Sequence, residues 1–180
     1  MSLAPTDYDF GDASNYFFAT TITCANEEAR AMYVRGHGHM LNYNHEQAIA
    51  CFMNVTELDP TCAMGWWGIA YCLSSSYNWS PGLGSGHDPI QQAVALKGNC
   101  TELEQDLIDA LAQRHSAEAR DAADPTVLNM GNSPELNAAF AEAMEPLYRK
   151  YNGNLDVAAV YVEALMNLKA WQLWDKNTTT

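Results

Sequence analysis

Apolar residues recur at helical spacing along most of the chain. Leu103, Leu107 and Leu111 lie four positions apart, so on a helix they would share one face. The segments from about 62 to 73 and from about 155 to 168 are also rich in apolar, helix-compatible residues. No segment shows the strict alternation of apolar and polar residues that is typical of a half-buried strand. The pattern therefore predicts an all-α chain.

Capping residues, prolines and glycines predict where the helices begin and end. Asn44 with Gln47, and Thr101 with Glu104, have the spacing of a capping box at a helix N-terminus. Residues 26–42 are compatible with a further helix. The remaining signals are a helix end at Asp59-Pro60, helix starts at Asp88-Pro89 and Ser133-Pro134, a kink or break at Pro146, a separation at Gly153, and loops over 74–87 and 116–132.

Composition and charge restrict the class of protein. With 180 residues, of which 48% are hydrophobic, the chain suits one globular domain. It has no apolar run of the roughly 18–20 residues that a membrane helix needs, and its first residues, MSLAPTDYDF, do not resemble a signal peptide. The net charge of −13 argues against nucleic acid and anionic membranes as partners. We expect a soluble, cytoplasmic protein.

The cysteines agree with a cytoplasmic location, whereas the glycosylation sequons do not. The chain has five cysteines, an odd number, and none of them forms a CxxC pair. We therefore expect reduced, mostly buried thiols. Four Asn-x-Ser/Thr sequons occur, slightly more than composition predicts, but a chain that is not exported is not glycosylated. The sequons lie at Asn54, Asn78, Asn99 and Asn177.

Residues 29–75 resemble the tetratricopeptide repeat (TPR), a helix–turn–helix unit of about 34 residues. The first unit, counted from Ala29, has expected residues at four positions: Gly36, Ala48, Phe52 and Pro60. The second unit, counted from Ala63, has them at four more: Trp66, Ile69, Ala70 and Leu73. Three positions of the first unit depart from the pattern, because polar or flexible residues replace large apolar ones: Met32, Arg35 and His39.

Three longer strings are similar to a family of long, mostly bacterial TPR-type proteins. They are YNHEQAIACF, DPTCAMGWWGIAY and DVAAVYVEALMNLKAWQLW. The resemblance covers about residues 26–175 and implies a right-handed α-α superhelix with a scaffold role, but no reaction. It implies an N-terminal extension at 1–25, a TPR-like domain at 26–175 and a disordered tail at 176–180.

The resemblance assigns different roles to two neighbouring tryptophans. Side chains of successive helical residues point about 100° apart, so Trp66 and Trp67 cannot share one environment. Trp66 falls at the fourth position of its repeat, which packs inside the helix pair, and Trp67 at the fifth, which lines the concave groove. We therefore predict that Trp66 is buried and that Trp67 is substantially more exposed.

The groove positions of the two units predict the binding site. Arg30 is its one fixed positive charge, and the asparagines of a carboxylate clamp are absent, so we expect an apolar or amphipathic protein segment rather than an acidic tail. The alternative is that an N-terminal extension or a C-terminal helix of the same chain fills this groove. The predicted groove residues are Arg30, Tyr33, His37, Met40, Met64, Trp67, Gly68 and Tyr71.

Two other functions remain open at the level of sequence. His37, His39, His45 and Cys62 are residue types that bind metals, which suggests a metal-dependent enzyme or a metal-binding protein. Their spacing does not match a common ligand motif, and no catalytic motif occurs, so we expect no cofactor and favour a role without catalysis. The other function is self-association through the open ends of the solenoid.

Overall fold

Helices form the regular structure of the described part of the chain, which covers residues 21–74, 76, 85–115, 134–169, 172 and 174 of the computed structural model. No strand occurs among these residues, so the all-α prediction is confirmed for them. A short 3₁₀ helix, Lys97–Asn99, follows the fourth α-helix. The α-helices are α1 (Glu27–Leu41), α2 (His45–Leu58), α3 (Ala63–Leu73), α4 (His87–Leu96), α5 (Glu102–Ala112), α6 (Pro134–Lys150) and α7 (Leu155–Asn167).

One of the two predicted capping boxes forms and the other does not. Thr101 Oγ1 accepts from Glu104 N, and Glu104 Oε2 accepts from Thr101 N at 2.8 Å, so this box is confirmed. The Asn44 side chain makes no capping bond to α2, and its Nδ2 lies 3.5 Å from His39 Nδ1. Tyr43 has a positive φ of 58°, and this tight turn is where the chain reverses between α1 and α2.

The structure refines two predictions made at prolines, a helix start at Asp88-Pro89 and a kink or break at Pro146. Helix α4 begins at His87 with Gly86 as its N-cap, so Asp88 lies in the first turn and does not cap the helix. Helix α6 runs through Pro146 to Lys150, and the predicted break does not occur. Pro146 removes only one backbone donor, and Glu142, the residue four positions earlier, is exposed, so water can solvate its carbonyl. Buried residues on the preceding turns hold the helix in place: Phe140, Ala141 and Met144.

Consecutive helices pack against each other from α1 to α7, with additional contacts between α1 and α3 and between α3 and α5. At the centre of the first three helices, the ring of Phe52 lies directly against Gly36 and Gly68. A Cβ atom at either glycine would come within 3.0 Å of that ring, so these two positions need the smallest residue. Of the two glycines, Gly36 is at a position where the sequence predicted a small residue, whereas Gly68 was assigned to an open groove and instead packs against Phe52.

The residues just before α1 belong to the same core. Ile22 is 3% exposed, and both the backbone and the hydroxyl of Thr23 donate to the Glu104 carboxylate, at 2.6 and 2.7 Å. Part of the predicted N-terminal extension is therefore packed on α5. The rest of that extension, the stretch 116–132, most of the 74–87 loop and the tail 176–180 lie outside the described residues. No helix in the described ranges is long and apolar enough to cross a membrane.

Candidate functional site

The two tryptophans have the opposite exposures to those predicted. Trp67 is 0% exposed, whereas Trp66 is partly buried at the edge of the core. Trp67 Nε1 donates to the Leu107 carbonyl at 3.1 Å, and its ring stacks on Tyr71 with centroids 5.1 Å apart. The prediction was wrong because α5 packs against the face of α3 that the repeat register assigned to an open groove.

The other predicted groove residues also lie inside the molecule. Arg30 is partly exposed, but its guanidinium donates to the carbonyls of Ile22 and Cys24, at 2.7 and 2.8 Å. Segments of the same chain thus cover these positions, which we call the inner face. This agrees with the alternative in which the chain itself fills the predicted groove. The buried members of the set are Tyr33, His37, Met40, Met64, Trp67, Gly68 and Tyr71.

Two polar contacts connect this inner face to the last helix. The Tyr71 hydroxyl donates to Glu163 Oε2 at 2.6 Å, and His37 Nε2 lies 3.7 Å from Asp156 Oδ1. Burial raises the pKa of Tyr71, and the neighbouring Glu163 carboxylate raises it further, so the hydroxyl keeps its proton and acts as a donor. Helix α7 therefore contacts α1 and α3 through its acidic side chains, in the place where a bound segment was predicted.

A buried arginine, Arg114, connects the end of α5 to α6, and the sequence analysis did not single it out. Arg114 is 1% exposed, its Nε donates to Asn137 Oδ1 at 3.1 Å, and its guanidinium carbon lies 5.3 Å from the centre of the Phe140 ring. Burial lowers the pKa of Arg114, while Tyr71 and Glu163 act against this shift. Arg114 borders a polar stretch of sequence, so the sequence alone suggests that it is exposed. Its burial becomes clear only from the packing of α6 on α5.

The proposed metal ligands do not converge. Among the residues that the structure describes, no three His, Cys, Asp or Glu side chains lie together in a way that could hold a metal ion. The alternative function through His37, His39, His45 and Cys62 therefore has no assembled site in these ranges. Their polar contacts differ: Asp156 for His37, Asn44 for His39, the Cys72 carbonyl for His45 and Cys24 for Cys62.

A Ser–His pair at the end of α3 is a further arrangement that the sequence did not suggest. Ser74 Oγ lies 3.0 Å from His115 Nε2 and also donates to the Ala70 carbonyl. Burial and the nearby Arg114 lower the pKa of His115 to about 3, so the imidazole is neutral and a very weak base. Ser74 is 2% exposed. Ser74 is the C-cap residue of α3, and its hydroxyl satisfies the Ala70 carbonyl near the end of that helix. The pair does not resemble an activated nucleophile.

Two buried histidines, His37 and His45, and the partly buried His115 predict that the protein loses stability in mild acid. Burial lowers the pKa of His37, His45 and His115 below the ordinary value, so the unfolded chain binds protons more readily than the folded one. The neutral histidines contribute fully to the free energy of unfolding above about pH 6.5, and this contribution is lost progressively as the pH falls below that value. We expect the melting temperature (Tm) to decrease between about pH 7 and pH 5, with His115 alone contributing roughly 1–2 kcal/mol.

The glutamine variant of His115 provides the control for this pH dependence. His115→Gln keeps a polar group facing Ser74 but cannot titrate, so its Tm should fall less steeply with acidification. Thermal unfolding followed by circular dichroism at several pH values measures the slope. Identical slopes for the two proteins would show that the pKa of His115 is the same in the folded and unfolded states, which would contradict the prediction.

An apolar stripe remains exposed on the side of α7 that faces away from the core. Its residues recur at three- or seven-position intervals, so they follow one side of the helix, which we call the outer face of α7. The opposite side is buried through Val157, Val160 and Ala164. The outer face consists of Leu155, Val162 and Leu165, which are 78%, 52% and 44% exposed, and the exposed C-cap residue Leu168 lies just beyond the helix.

Aromatic residues of the preceding helix extend this surface. Tyr148 on α6 is 43% exposed, and its ring lies 5.3 Å from that of Tyr161 on α7. Tyr161 lies four positions before Leu165, so the two rings lie at the border of the outer face. Exposed apolar residues are therefore present on both helices of the α6–α7 pair. Contiguous exposed apolar surface of this kind commonly marks a protein interaction site.

Comparisons of the chain with protein-family models, with curated proteins and with solved structures gave no match. The resemblance to TPR proteins therefore stays a prediction from the sequence. The described residues establish an all-α chain whose consecutive helices pack against one another.

Proposed function

We propose that this chain is a TPR-like scaffold that binds an amphipathic helix of a partner protein on the outer face of α7. The observation that carries this proposal is the apolar stripe of Leu155, Val162 and Leu165. These residues are exposed, whereas the residues on the opposite side of α7 are buried by the described part of the chain. A helix with apolar residues at i, i+3, i+4 and i+7 matches such a stripe.

The inner face is a less accessible binding surface than the outer one. A ligand that entered there would have to displace α5 and α7, because Trp67 is bonded to Leu107 and Tyr71 to Glu163. Such displacement would expose a large, fully buried tryptophan to water. Binding on the outer face requires no movement of the core.

The charge of the chain determines the chemistry of the partner. With a net charge of −13, the protein attracts a helix whose polar side is basic and repels an acidic one. The same charge disfavours nucleic acid and anionic membranes. We place this interaction in the cytoplasm, because the five cysteines are an odd number and form no CxxC pair.

A titration with designed peptides tests the proposal. The probe is a synthetic amphipathic helix with leucines on one side and lysines on the other, and the control peptide replaces the lysines with glutamates. Isothermal titration calorimetry should detect binding of the basic peptide and little or none of the acidic one. The double variant Val162→Glu/Leu165→Glu should weaken binding of the basic peptide at least about tenfold, because it places charge at the centre of the apolar stripe.

A matched variant distinguishes specific binding at the outer face of α7 from non-specific hydrophobic binding. Met53 on α2 is 50% exposed and lies outside the stripe, so Met53→Glu should leave the affinity unchanged. All these positions are exposed, and far-UV circular dichroism should show intact helices. Binding that survives Val162→Glu/Leu165→Glu would contradict the proposal. Light scattering that shows a dimer, lost in the same double variant, would assign the outer face to a second copy of the chain instead.

A further inference from the structure

Two cysteines that are distant in the sequence meet beside the turn between α2 and α3. The Cys24 and Cys62 side chains contact each other, and Cys24 Sγ also lies 3.3 Å from the Asn26 carbonyl oxygen and 3.4 Å from Asp59 Oδ2. Cys24 is partly exposed, whereas Cys62 is 1% exposed. We propose that Cys24 and Cys62 are a redox-active pair, which closes to a disulfide on reaction with a small oxidised disulfide such as glutathione disulfide.

The backbones that carry the two cysteines are held together by hydrogen bonds. Ala25 N donates to Asp59 Oδ2 at 2.8 Å, and Asn26 Nδ2 donates to the Leu58 carbonyl at 3.4 Å. Cys62 N donates to the Asp59 carbonyl at 3.0 Å, so Asp59 contacts both segments. Because neither thiol has to be brought to the other through a chain movement, closure of the pair costs little conformational entropy.

The exposed member of the pair would react first. The Cys24 thiolate attacks one sulfur of glutathione disulfide, which forms a mixed disulfide and releases one glutathione thiolate. The Cys62 sulfur then attacks Cys24 Sγ, which forms the Cys24–Cys62 bond and releases the second glutathione. Burial raises the pKa of Cys62 to about 12, so the Cys62 thiol gives up its proton only as it attacks, to the departing glutathione thiolate. Overall, two protein thiols lose two electrons and two protons, and one glutathione disulfide is reduced to two thiols.

The surroundings of Cys24 determine how the rate depends on pH. Burial raises the pKa of the Cys24 thiol, so little thiolate is present at neutral pH and the rate should increase as the solution becomes alkaline. Burial also acts on Asp59, but hydrogen bonds from Thr61 and Ala25 lower the pKa of its carboxyl group. Asp59 is therefore ionised, and its negative charge raises the pKa of Cys24 further, so the proton of Cys24 leaves to hydroxide or buffer in alkaline solution.

The disulfide would join the segment before α1 to the start of α3. That segment carries Ile22, which is part of the core, and Thr23, which is bonded to Glu104 on α5. Cross-linking it to Cys62 restricts the unfolded chain far more than the folded one. Oxidation should therefore raise Tm by roughly 5–10 °C. This inference is independent of the outer face of α7.

Mass spectrometry and thermal unfolding test the pair. The reduced protein is incubated with glutathione disulfide at about pH 8 and then alkylated under denaturing conditions. The expected product is about 2 Da lighter before alkylation than the reduced chain, and its digest contains one peptide pair linked through Cys24 and Cys62. The oxidised protein should also have the higher Tm, and the reductant dithiothreitol should reverse both changes.

Matched variants distinguish this pair from general thiol oxidation. Cys24→Ser and, separately, Cys62→Ser should abolish the cross-link and the rise in Tm. Cys100 is also partly exposed, and Cys100→Ser should leave both effects unchanged. Circular dichroism of the reduced variants confirms that they are folded. A stable glutathione adduct on Cys24 without cross-linking, a different cysteine pair, or no reaction at Cys24 would each overturn the proposal.

Discussion

Replacing Trp67 with alanine should lower the free energy of unfolding by about 3–5 kcal/mol, as for other fully buried large aromatic residues. Among the residues that the structure describes, Trp67 is the largest fully buried side chain, and it fills the space between α3 and α5. The substitution leaves a cavity, removes the hydrogen bond to the Leu107 carbonyl and removes the stacking on Tyr71. Urea unfolding followed by far-UV circular dichroism measures the loss without depending on tryptophan fluorescence.

The neighbouring tryptophan is the natural control for this measurement. Trp66 is partly exposed and packs only at the edge of the core, so Trp66→Ala should cost at most about 2 kcal/mol. Both variants remove the same side chain from the same helix, and their difference therefore reports burial rather than helix propensity. A larger loss for Trp66→Ala than for Trp67→Ala would support the TPR register predicted from the sequence and contradict the packing of α5 on α3.

Introducing a side chain at Gly68 should be nearly as damaging. A Cβ atom there would lie 2.6 Å from Phe52 Cδ2 and 2.7 Å from Phe52 Cγ, well inside van der Waals contact with a fully buried ring. Gly68→Val adds two further methyl groups in this space, so we expect a loss of about 3 kcal/mol, at the upper end of the range for overpacking. Urea unfolding under the same conditions measures it.

A second glycine and a compensating change sharpen the test at Gly68. No atom lies within 4 Å of a Cβ built on Gly98, so Gly98→Val should change stability by less than about 1 kcal/mol. Phe52→Leu combined with Gly68→Val should be less destabilising than the sum of the two single changes, since the smaller side chain makes room. Strict additivity of the two would show that the clash with Phe52 is not the cause.

Some local features of the chain were predicted correctly because they depend on near neighbours in sequence. The four-residue spacing of Leu107 and Leu111, both fully buried, is sufficient to define the inner side of α5. The capping box of Thr101 and Glu104 uses atoms only three residues apart. Gly153, with a positive φ of 90°, ends the turn before α7 as its chemistry predicts. Each of these signals operates within one or two helical turns.

The tertiary structure decided which helix faces are covered, and this determined the candidate site. Helix α3 is apolar on nearly all sides, so its sequence does not distinguish the position of Trp66 from that of Trp67. Trp67 is buried because α5 packs beside it, and Tyr71 is buried because Glu163 on α7 reaches it. The meeting of Cys24 with Cys62 likewise depends on how residues 22–26 cross the turn after α2. Burial is a property of what packs against a residue, and the partner segments are tens of residues away along the chain.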